Sequence, residues 1–405
     1  MHWTYEILPI IHAPGIYHGN VISPARTVAF DVLKSVHAGG YASDLLLAKS
    51  MQLDSRDAGL ASEVVFGCLR RQAQLDFLID HFAGRPLKLE PDIRIALRMA
   101  VYQIRHLDRV PKHAAVSESV ELVKRAHKRS AVGLANAVLR KVGGVPVRWP
   151  DRATALSCPG WLLARWGIQF GADSAEAIAR AALNKPETWV RSKEPAPNLE
   201  PTEAPGCYRL RSGDPPAGAR IQDIGSQSIV PLLNLQAGQR FLDLCAAPGN
   251  KTAQALETGV EAIACDLHWN RIRSLDGIDA RRVVLDASAP LPFRDTFDRI
   301  LVDAPCTGTG TLARNPEIKW RILPSDMPRL QALQIRILRN ALGALSPSGR
   351  LVYSTCSLER EENADVVDAV LRDRAGFKVT ETRERIPGRE PGDGFFAAAI
   401  ERAPR

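Results

Sequence analysis

Residues 241–252 read Phe-Leu-Asp-Leu-Cys-Ala-Ala-Pro-Gly-Asn-Lys-Thr, and they are the most informative segment for the fold of the C-terminal half. An apolar run, which predicts a strand, leads through small residues into the start of a helix. Small residues let the backbone approach a ligand closely, and the amides of a helix N-terminus favour an anion or a carboxylate. The segment is neither a Walker loop nor a regular Gly-x-Gly-x-x-Gly, so an ordinary tight turn is the alternative interpretation.

Short apolar runs alternate with helical stretches from Gly238 onward. This alternation predicts a doubly wound α/β domain with a parallel sheet, which binds ligands at the carboxyl ends of its strands. The runs that we interpret as strands are Phe241–Leu244, Ala262–Cys265, Val283–Leu285, Ile300–Val302 and Leu351–Tyr353.

Acidic residues stand where the first four of these strands end, at Asp243, Asp266, Asp286 and Asp303. Asp266 comes 17 positions after Gly249, close to the spacing of about 20 at which an acid meets ribose hydroxyls in nucleotide sites. Each carboxylate alone is typical of a solvated loop, but the succession favours an adenosyl ligand, with Asp286 placed to accept from an adenine amino group.

Two further segments, 303–306 (Asp-Ala-Pro-Cys) and 353–357 (Tyr-Ser-Thr-Cys-Ser), each follow a predicted strand. Parallel strands should deliver both cysteines to one edge of the sheet. A free cysteine is most often a small buried residue. Here, however, Cys306 begins a Thr-Gly-Thr-Gly loop and Cys356 lies between hydroxyl residues, so neither resembles a core position.

Two thiols in one pocket suit covalent catalysis on a pyrimidine. A thiolate adds to carbon 6, carbon 5 becomes nucleophilic and takes a methyl group from a sulfonium donor, and loss of the carbon 5 proton expels the sulfur. Asp303 is placed to contact the ring. The residues themselves leave open which of the two cysteines attacks.

The first third of the chain has a different pattern. Apolar residues recur at helical spacing from Ser23 to about Val142, which predicts an all-helical domain. Residues 185–216 are rich in proline and lack periodicity, so they form either a linker or a small loop-rich subdomain. The formal net charge of +8 favours a polyanionic partner such as RNA.

Other classes of protein are disfavoured. The seven cysteines include no Cys-x-x-Cys pair and no histidine partner at metal spacing, so we expect neither zinc nor a disulfide framework. No apolar run approaches the ~18 residues of a membrane span, and the N-terminus lacks the pattern of a signal peptide. We therefore expect a cytoplasmic protein without membrane or metal partners.

The C-terminal half resembles the RNA 5-methylcytosine methyltransferases of the Sun/Fmu (NOL/NOP/Sun) family. The resemblance rests on Cys-Ala-Ala-Pro-Gly-Asn-Lys-Thr at 245–252, Asp-Ala-Pro-Cys-Thr-Gly-Thr-Gly at 303–310 and Tyr-Ser-Thr-Cys-Ser at 353–357, in this order. Asp-Gly-Phe-Phe at 393–396 is similar to the last motif of that family, and residues 221–227 are similar to the segment before its cofactor domain. The resemblance implies a Rossmann-like methyltransferase domain with a mostly parallel, seven-stranded sheet.

The helical region adds a second resemblance. Ala-Val-Tyr-Gln at 100–103, Val-Pro-Lys-His-Ala-Ala-Val at 110–116 and Asn-Ala-Val-Leu-Arg at 136–140 are similar to the NusB-like RNA-binding domain. This pairing resembles that of the bacterial members that modify 16S rRNA, and it implies 16S rRNA as the substrate. We expect a monomer. The implied organisation is an unassigned extension (1–22), a NusB-like domain (23–145), a connecting subdomain (146–220) and a methyltransferase domain (221–405).

The resemblance also assigns roles. It implies Cys356 as the nucleophile, Cys306 as the residue that assists product release, and Asp303 as a catalytic contact. S-adenosyl-L-methionine is the implied cofactor. Its implied binding residues are Cys245, Ala246, Ala247, Pro248, Gly249, Asn250, Lys251, Asp266, Asp286 and Asp303, although the family usually has glycine where this chain has Asn250.

Three rival functions stay open at this point. A methyltransferase for exocyclic amines would carry an Asn-Pro-Pro-Tyr type turn, which is disfavoured by the Asp-Ala-Pro-Cys found at 303–306. A tRNA cytosine methyltransferase would use the same chemistry. A non-catalytic RNA-binding assembly factor would need only the NusB-like domain.

Overall fold

The computed structural model of this protein describes residues 22–144, 146–374 and 376–403. The described chain forms two compact units. One comprises the residues up to Cys68 together with Leu75–Val147, and the other comprises Leu69–Gln74 and the residues from Arg148 onward. The predicted N-terminal extension lies, apart from its last residue, outside the described residues. The domain boundaries predicted near 145 and 220 stay predictions.

Helices build the N-terminal region, which confirms the predicted all-helical character. Proline occupies the first turn of the first and fifth helices, where the missing amide hydrogen costs nothing because first-turn amides have no partner within the helix. The helices are α1 (Pro24–His37), α2 (Ala42–Ser50), α3 (Ser55–Arg70), α4 (Gln72–Ala83), α5 (Pro91–His106), α6 (Lys112–Arg125) and α7 (Val132–Lys141).

A buried arginine joins three of these helices. Arg26 of α1 donates from Nε to Oε1 of Gln103 in α5 at 2.7 Å and from Nη1 to Oε1 of Glu118 in α6 at 2.8 Å. Arg26 is only 6% exposed, so its charge needs these partners. The pairing satisfies the polar groups that Arg26 and Gln103 bring into the core.

The second unit alternates helices and strands. Its first part contains α8 (Arg152–Ala155), α9 (Gly160–Phe170), α10 (Ala172–Ala181), β1 (Trp189–Arg191), β2 (Leu199–Pro201), β3 (Cys207–Leu210), β4 (Arg220–Ile221) and α11 (Ile224–Gln227). Its remainder contains β5 (Arg240–Asp243), α12 (Asn250–Leu256), β6 (Glu261–Asp266), α13 (Trp269–Ile272), β7 (Arg281–Val284), β8 (Phe297–Asp303), α14 (Ile318–Arg321), α15 (Asp326–Gly343), β9 (Leu345–Thr355), α16 (Ala364–Arg372), β10 (Phe377–Arg385) and β11 (Phe395–Arg402).

A seven-stranded sheet of order β10-β11-β9-β8-β5-β6-β7 organises this unit among the described residues. Strands β5 to β9 pair in parallel, and β11 and β10 add antiparallel to one edge. The strand order reverses between β5 and β8, which is where a doubly wound sheet opens its ligand crevice. The predicted Rossmann-like, mostly parallel sheet is therefore confirmed.

Both faces of the central strands are buried. Leu242, Ile300 and Val302 pack on one face, whereas Phe241 and Leu301 pack on the other, and all are fully buried. Strands covered on both faces read as continuous apolar runs, which is why these strands could be located from the sequence.

Residues 185–216, for which the sequence left a linker or a loop-rich subdomain open, contain short strands. Strands β1 to β4 form an antiparallel sheet of order β2-β3-β1-β4. The strands have two to four residues each. Such lengths are too short for an alternating pattern to emerge.

The buried sheet gives a first prediction. Leu301→Ala removes a fully buried side chain from the central strand β8, and it should lower the unfolding free energy of this unit by about 2–5 kcal/mol. Thermal melting followed by circular dichroism measures the loss. Leu323→Ala, at a side chain that is 58% exposed, is the control and should change stability by less than about 0.5 kcal/mol. Equal melting temperatures for the two variants would contradict the assigned core.

Candidate active site

The two predicted cysteines lie side by side. Asp303, the last residue of β8, pairs in register with Ser354 of the parallel neighbour β9, so the segments that follow both strands leave the same edge of the sheet. Cys306 Sγ and Cys356 Sγ are 3.4 Å apart. Both residues are half-buried and neither is disulfide-bonded. The arrangement meets the geometric requirement for two thiols acting on one substrate.

The surroundings of Cys306 disfavour its ionisation. The hydrogen bond with Cys356, together with burial, raises the pKa of the Cys306 thiol well above its ordinary value. Two sulfurs in contact cannot both carry a charge at low cost, so at least one of them keeps its proton. At most one of the two sulfurs therefore acts as a thiolate at a time.

A lysine and an aspartate stand beside the thiols. Lys251 Nζ is 2.7 Å from Asp303 Oδ2, and Ser354 Oγ donates to Asp303 Oδ1 at 2.7 Å. Burial by itself would lower the pKa of Lys251, but attraction to Asp303 and to a Cys356 thiolate outweighs it, so the net pKa is raised. Lys251, which was predicted among the cofactor residues, thus places its ammonium group next to the Asp303 carboxylate.

The loop of residues 245–251 joins β5 to α12 and has the close-packed shape that its small residues predict. Ala246 donates its backbone amide to Cys265 O at 2.7 Å, and Ala246 and Ala247 are buried. Gly249 has φ +104°, and a Cβ there would lie 2.6 Å from Ile278 Cδ1. Only glycine fits this position without strain. Pro248 precedes it, and the Asn250 side chain donates to Ile221 O at 3.2 Å.

An unpaired acceptor at the end of β5 marks where this loop meets the crevice. Asp243 is buried, and burial raises its pKa to about 7 although Thr252 donates to its Oδ2 at 2.7 Å. Its Oδ1 is buried without a hydrogen-bond partner. A glycine cradle beside a buried, unsatisfied carboxylate oxygen fits an aminoacyl ligand such as the methionyl part of S-adenosylmethionine.

The other predicted acids follow the neighbouring strands. Asp266 ends β6, is buried, and accepts from the His268 amide at 3.1 Å. Asp286 lies two residues beyond β7, is exposed, and accepts from the Ser288 amide at 2.8 Å. Both carboxylates are therefore held by their own turns at the carboxyl edge of the sheet.

A buried ion cluster braces the Thr-Gly-Thr-Gly loop from behind. Arg314 donates to Asp223 Oδ2 at 2.7 Å and to Asp393 Oδ2 at 2.8 Å. Gly310 donates its amide to Cys356 O, and Gly394 donates its amide to Gly310 O, both at 2.8 Å. The segments 221–227 and 393–396, which the sequence marked only by resemblance, thus meet at the loop that carries Cys306.

Sequence reasoning missed part of the site. Glu362 and Gln334 lie within hydrogen-bonding distance of the residues that flank the cysteines, as described below. No sequence signal marked them, because one belongs to an acidic run and the other to the helix α15.

Among the described residues, no group of three or more His, Cys, Asp or Glu side chains is placed to hold a metal ion. The described helices include none that is long and apolar enough to cross a bilayer.

Comparison with known proteins assigns the family. The sequence model described as "16S rRNA methyltransferase RsmB/F" matches residues 230–401, and the NusB family model matches residues 23–143. The "Ribosomal RNA small subunit methyltransferase B" of Thermus thermophilus is 35% identical over 402 residues, which cover 93% of this chain and 97% of that protein. The chain belongs to the RsmB/F family of 16S rRNA methyltransferases.

Other relatives agree with this assignment. The "Probable ribosomal RNA small subunit methyltransferase B" of Bacillus subtilis is 31% identical over 400 residues, covering 87% of this chain and 89% of that protein. The crystal structure of PH0851 has the same fold, with a TM-score of 0.79 at 21% identity over 95% of this chain and 100% of that one. The expected family, a NusB-like region followed by an S-adenosylmethionine-dependent RNA methyltransferase, is confirmed.

The glycine cradle yields a second prediction. Gly249→Ala places a methyl group against Ile278 in a backbone conformation that L-residues avoid, so affinity for S-adenosylmethionine should fall by at least about tenfold, the equivalent of ~1.4 kcal/mol. Isothermal titration calorimetry measures this loss. Gly238→Ala is the matched control, because Gly238 also has positive φ (+77°) but nothing within 4 Å of an added Cβ. Unchanged cofactor affinity in Gly249→Ala would exclude this loop from the cofactor site.

Proposed function

We propose that this protein methylates carbon 5 of a cytosine in 16S rRNA through a covalent bond between Cys356 Sγ and carbon 6 of the base. The observation that carries the proposal is the 3.4 Å contact between the two thiols, beside the Lys251–Asp303 pair. One half-buried thiol is available to attack, and a second lies next to it.

The chain's own residues account for each step. Cys356 forms the sulfur–carbon bond, and the electron pair of the carbon 5–carbon 6 double bond moves onto carbon 5. Asp303, held by Lys251 and Ser354, is placed to hydrogen-bond the ring and stabilise its changing charge. The proton of carbon 5 then passes to solvent water, and the electron pair of that carbon–hydrogen bond re-forms the double bond between carbons 5 and 6. The sulfur–carbon bond breaks, its electron pair returns to Cys356 as the thiolate, and Cys306 assists this release.

The cofactor fits the loop described above. When bound, S-adenosylmethionine supplies an electrophilic methyl group to carbon 5. We propose that residues 245–251 together with Asp266, Asp286 and Asp303 hold it, and the unpaired Asp243 Oδ1 adds an acceptor at the same strand end. The target base must leave its stack to reach the thiols, as bases do in other enzymes that modify them.

The relatives' names and the charge of the chain support the substrate. The curated relatives are named ribosomal RNA small subunit methyltransferase B, and the net charge of +8 suits a polyanion. We also propose a cytoplasmic, metal-free monomer. The free state of all seven cysteines supports a reducing compartment, and light scattering of the purified protein tests the monomer.

The nucleophile assignment predicts the behaviour of Cys356→Ala. This variant should lose methyl transfer entirely and keep its affinity for S-adenosylmethionine, because the sulfur acts on the base and does not hold the cofactor. Filter-binding of methyl-labelled RNA and calorimetry measure the two properties. Cys158→Ala, in a separate core cluster, serves as the control and should stay active. Parallel loss of both properties in Cys356→Ala would argue against a nucleophile.

The release assignment predicts a trapped intermediate. Cys306→Ala should accumulate a protein–RNA adduct that survives denaturing electrophoresis, since the base attaches and cannot leave efficiently. The double variant Cys306→Ala/Cys356→Ala is the control and should form no adduct. An adduct that persists in the double variant would place the attacking sulfur elsewhere.

The substrate is tested separately. Bisulfite sequencing of RNA from a strain lacking this gene should show loss of 5-methylcytosine at a position in 16S rRNA, with tRNA unchanged. A loss confined to tRNA would overturn the choice of RNA and leave the chemistry intact.

A further inference from the structure

A buried carboxylate that the proposed chemistry does not use lies beside the thiols. Glu362 is fully buried. Its Oε1 accepts from the Thr307 amide at 2.9 Å and from Gln334 Nε2 at 3.0 Å, and its Oε2 accepts from the hydroxyls of Thr307 and Ser357 in short hydrogen bonds. Burial raises the pKa of Glu362, but the Ser357 and Thr307 donors oppose that rise. All of these partners can donate a hydrogen bond to the Glu362 oxygens, which suits an ionised carboxylate.

The positions of these donors in the chain are informative. Thr307 directly follows Cys306, and Ser357 directly follows Cys356, so one carboxylate ties together the two segments that carry the sulfurs. Gln334 also donates to the Pro305 carbonyl at 2.9 Å. Glu362 and Gln334 thus hold the residues on both sides of Cys306.

Glu362 also acts electrostatically on the Cys306 sulfur. Its negative charge contributes to the raised pKa of Cys306, after the larger effects of the Cys356 hydrogen bond and burial. The ammonium of Lys251 attracts a thiolate on Cys356. The titratable groups that interact with the Cys306 sulfur are Cys356, Glu362 and Tyr353. Lys251, which is paired with Asp303, interacts with Cys356.

We propose that Glu362 is a positioning residue that ties the two cysteine segments together and keeps the proton on Cys306, so that Cys356 carries the nucleophilic charge. The expected effect of Glu362 on catalysis rests on the proposed function, whereas the location of the proton on Cys306 does not. This proposal supplies a physical reason, within this chain, for the unequal roles of two thiols that the sequence alone leaves equivalent.

The variant Glu362→Gln separates charge from geometry. A glutamine oxygen can still accept from the Thr307 amide and from Gln334, and its amide nitrogen can donate to the two hydroxyls, which rotate to accept. The tie is kept while the charge is removed. Glu361→Gln is the matched control, since the neighbouring Glu361 carboxylate is partly exposed and pairs with Arg165 instead.

The measurement is the initial rate of alkylation by iodoacetamide as a function of pH, read by mass spectrometry without RNA or cofactor. The tryptic peptides 300–314 and 351–360 each contain one of the two cysteines, so the sulfurs are counted separately. In the unaltered protein the alkylation profile of Cys306 should lie at higher pH than that of Cys356. In Glu362→Gln the Cys306 profile should move to lower pH, and its rate at neutral pH should rise on the order of tenfold.

Enzyme assays complete the test. The kcat for methylation should fall by about twofold or more in Glu362→Gln with little change in KM for RNA, because the charge is shared between two sulfurs while the binding surface is unaltered. The Glu361→Gln control should match the unaltered protein in both assays. A Cys306 profile that does not move in folded Glu362→Gln, or that moves equally in Glu361→Gln, overturns the proposal.

Two further outcomes stay interpretable. If Glu362→Gln fails to fold, the order of the two profiles in the unaltered protein decides, and Cys306 ionising first overturns the proposal. If the alkylation results are as expected but no RNA adduct forms on Cys356, then the proposed function fails and the assignment of the proton stands.

Discussion

The parallel pairing of β8 with β9 is the constraint on which the active site depends. Asp303 and Ser354 lie opposite each other in this register, so the short segments beyond them carry Cys306 and Cys356 to one place. A slip of one residue would turn the side chains of β9 to the opposite faces of the sheet. The fully buried cores on both faces oppose such a slip, and in this way hydrophobic packing sets the distance between two sulfurs.

Close backbone contacts and ion pairs then hold the loop of Cys306 in place. Gly310 has space for no side chain because Gly394 O and Cys356 O lie 2.4 and 2.8 Å from the position of a Cβ. Behind it, Arg314 is held between Asp223 and Asp393. A buried charge of this kind is costly unless each partner is present, and removing one partner leaves the others uncompensated. The loop of Cys306 is therefore fixed by groups that are distant in sequence.

The same site separates two thiols that are chemically identical. Lys251 interacts electrostatically with Cys356, and Glu362 with Gln334 holds the chain around Cys306. An ammonium group favours a thiolate and a carboxylate disfavours one. The proposed difference between attacking and releasing cysteine then follows from the placement of two charges, with no difference in the sulfurs themselves.

The helical region, the parallel strands and the motifs that contain the cysteines and the loop 245–251 could be read from the amino-acid sequence alone, because apolar periodicity and small-residue turns are local properties. It could not locate the strands of the segment 185–216, which are too short to show a period, or the antiparallel addition of β10 and β11. It also left Cys306 and Cys356 equivalent until the family resemblance was considered. Only the tertiary structure brought Glu362, Arg314 and Asp223 to the cysteine loops, since a hydrogen bond between residues 50 or more positions apart depends on packing that no local pattern records.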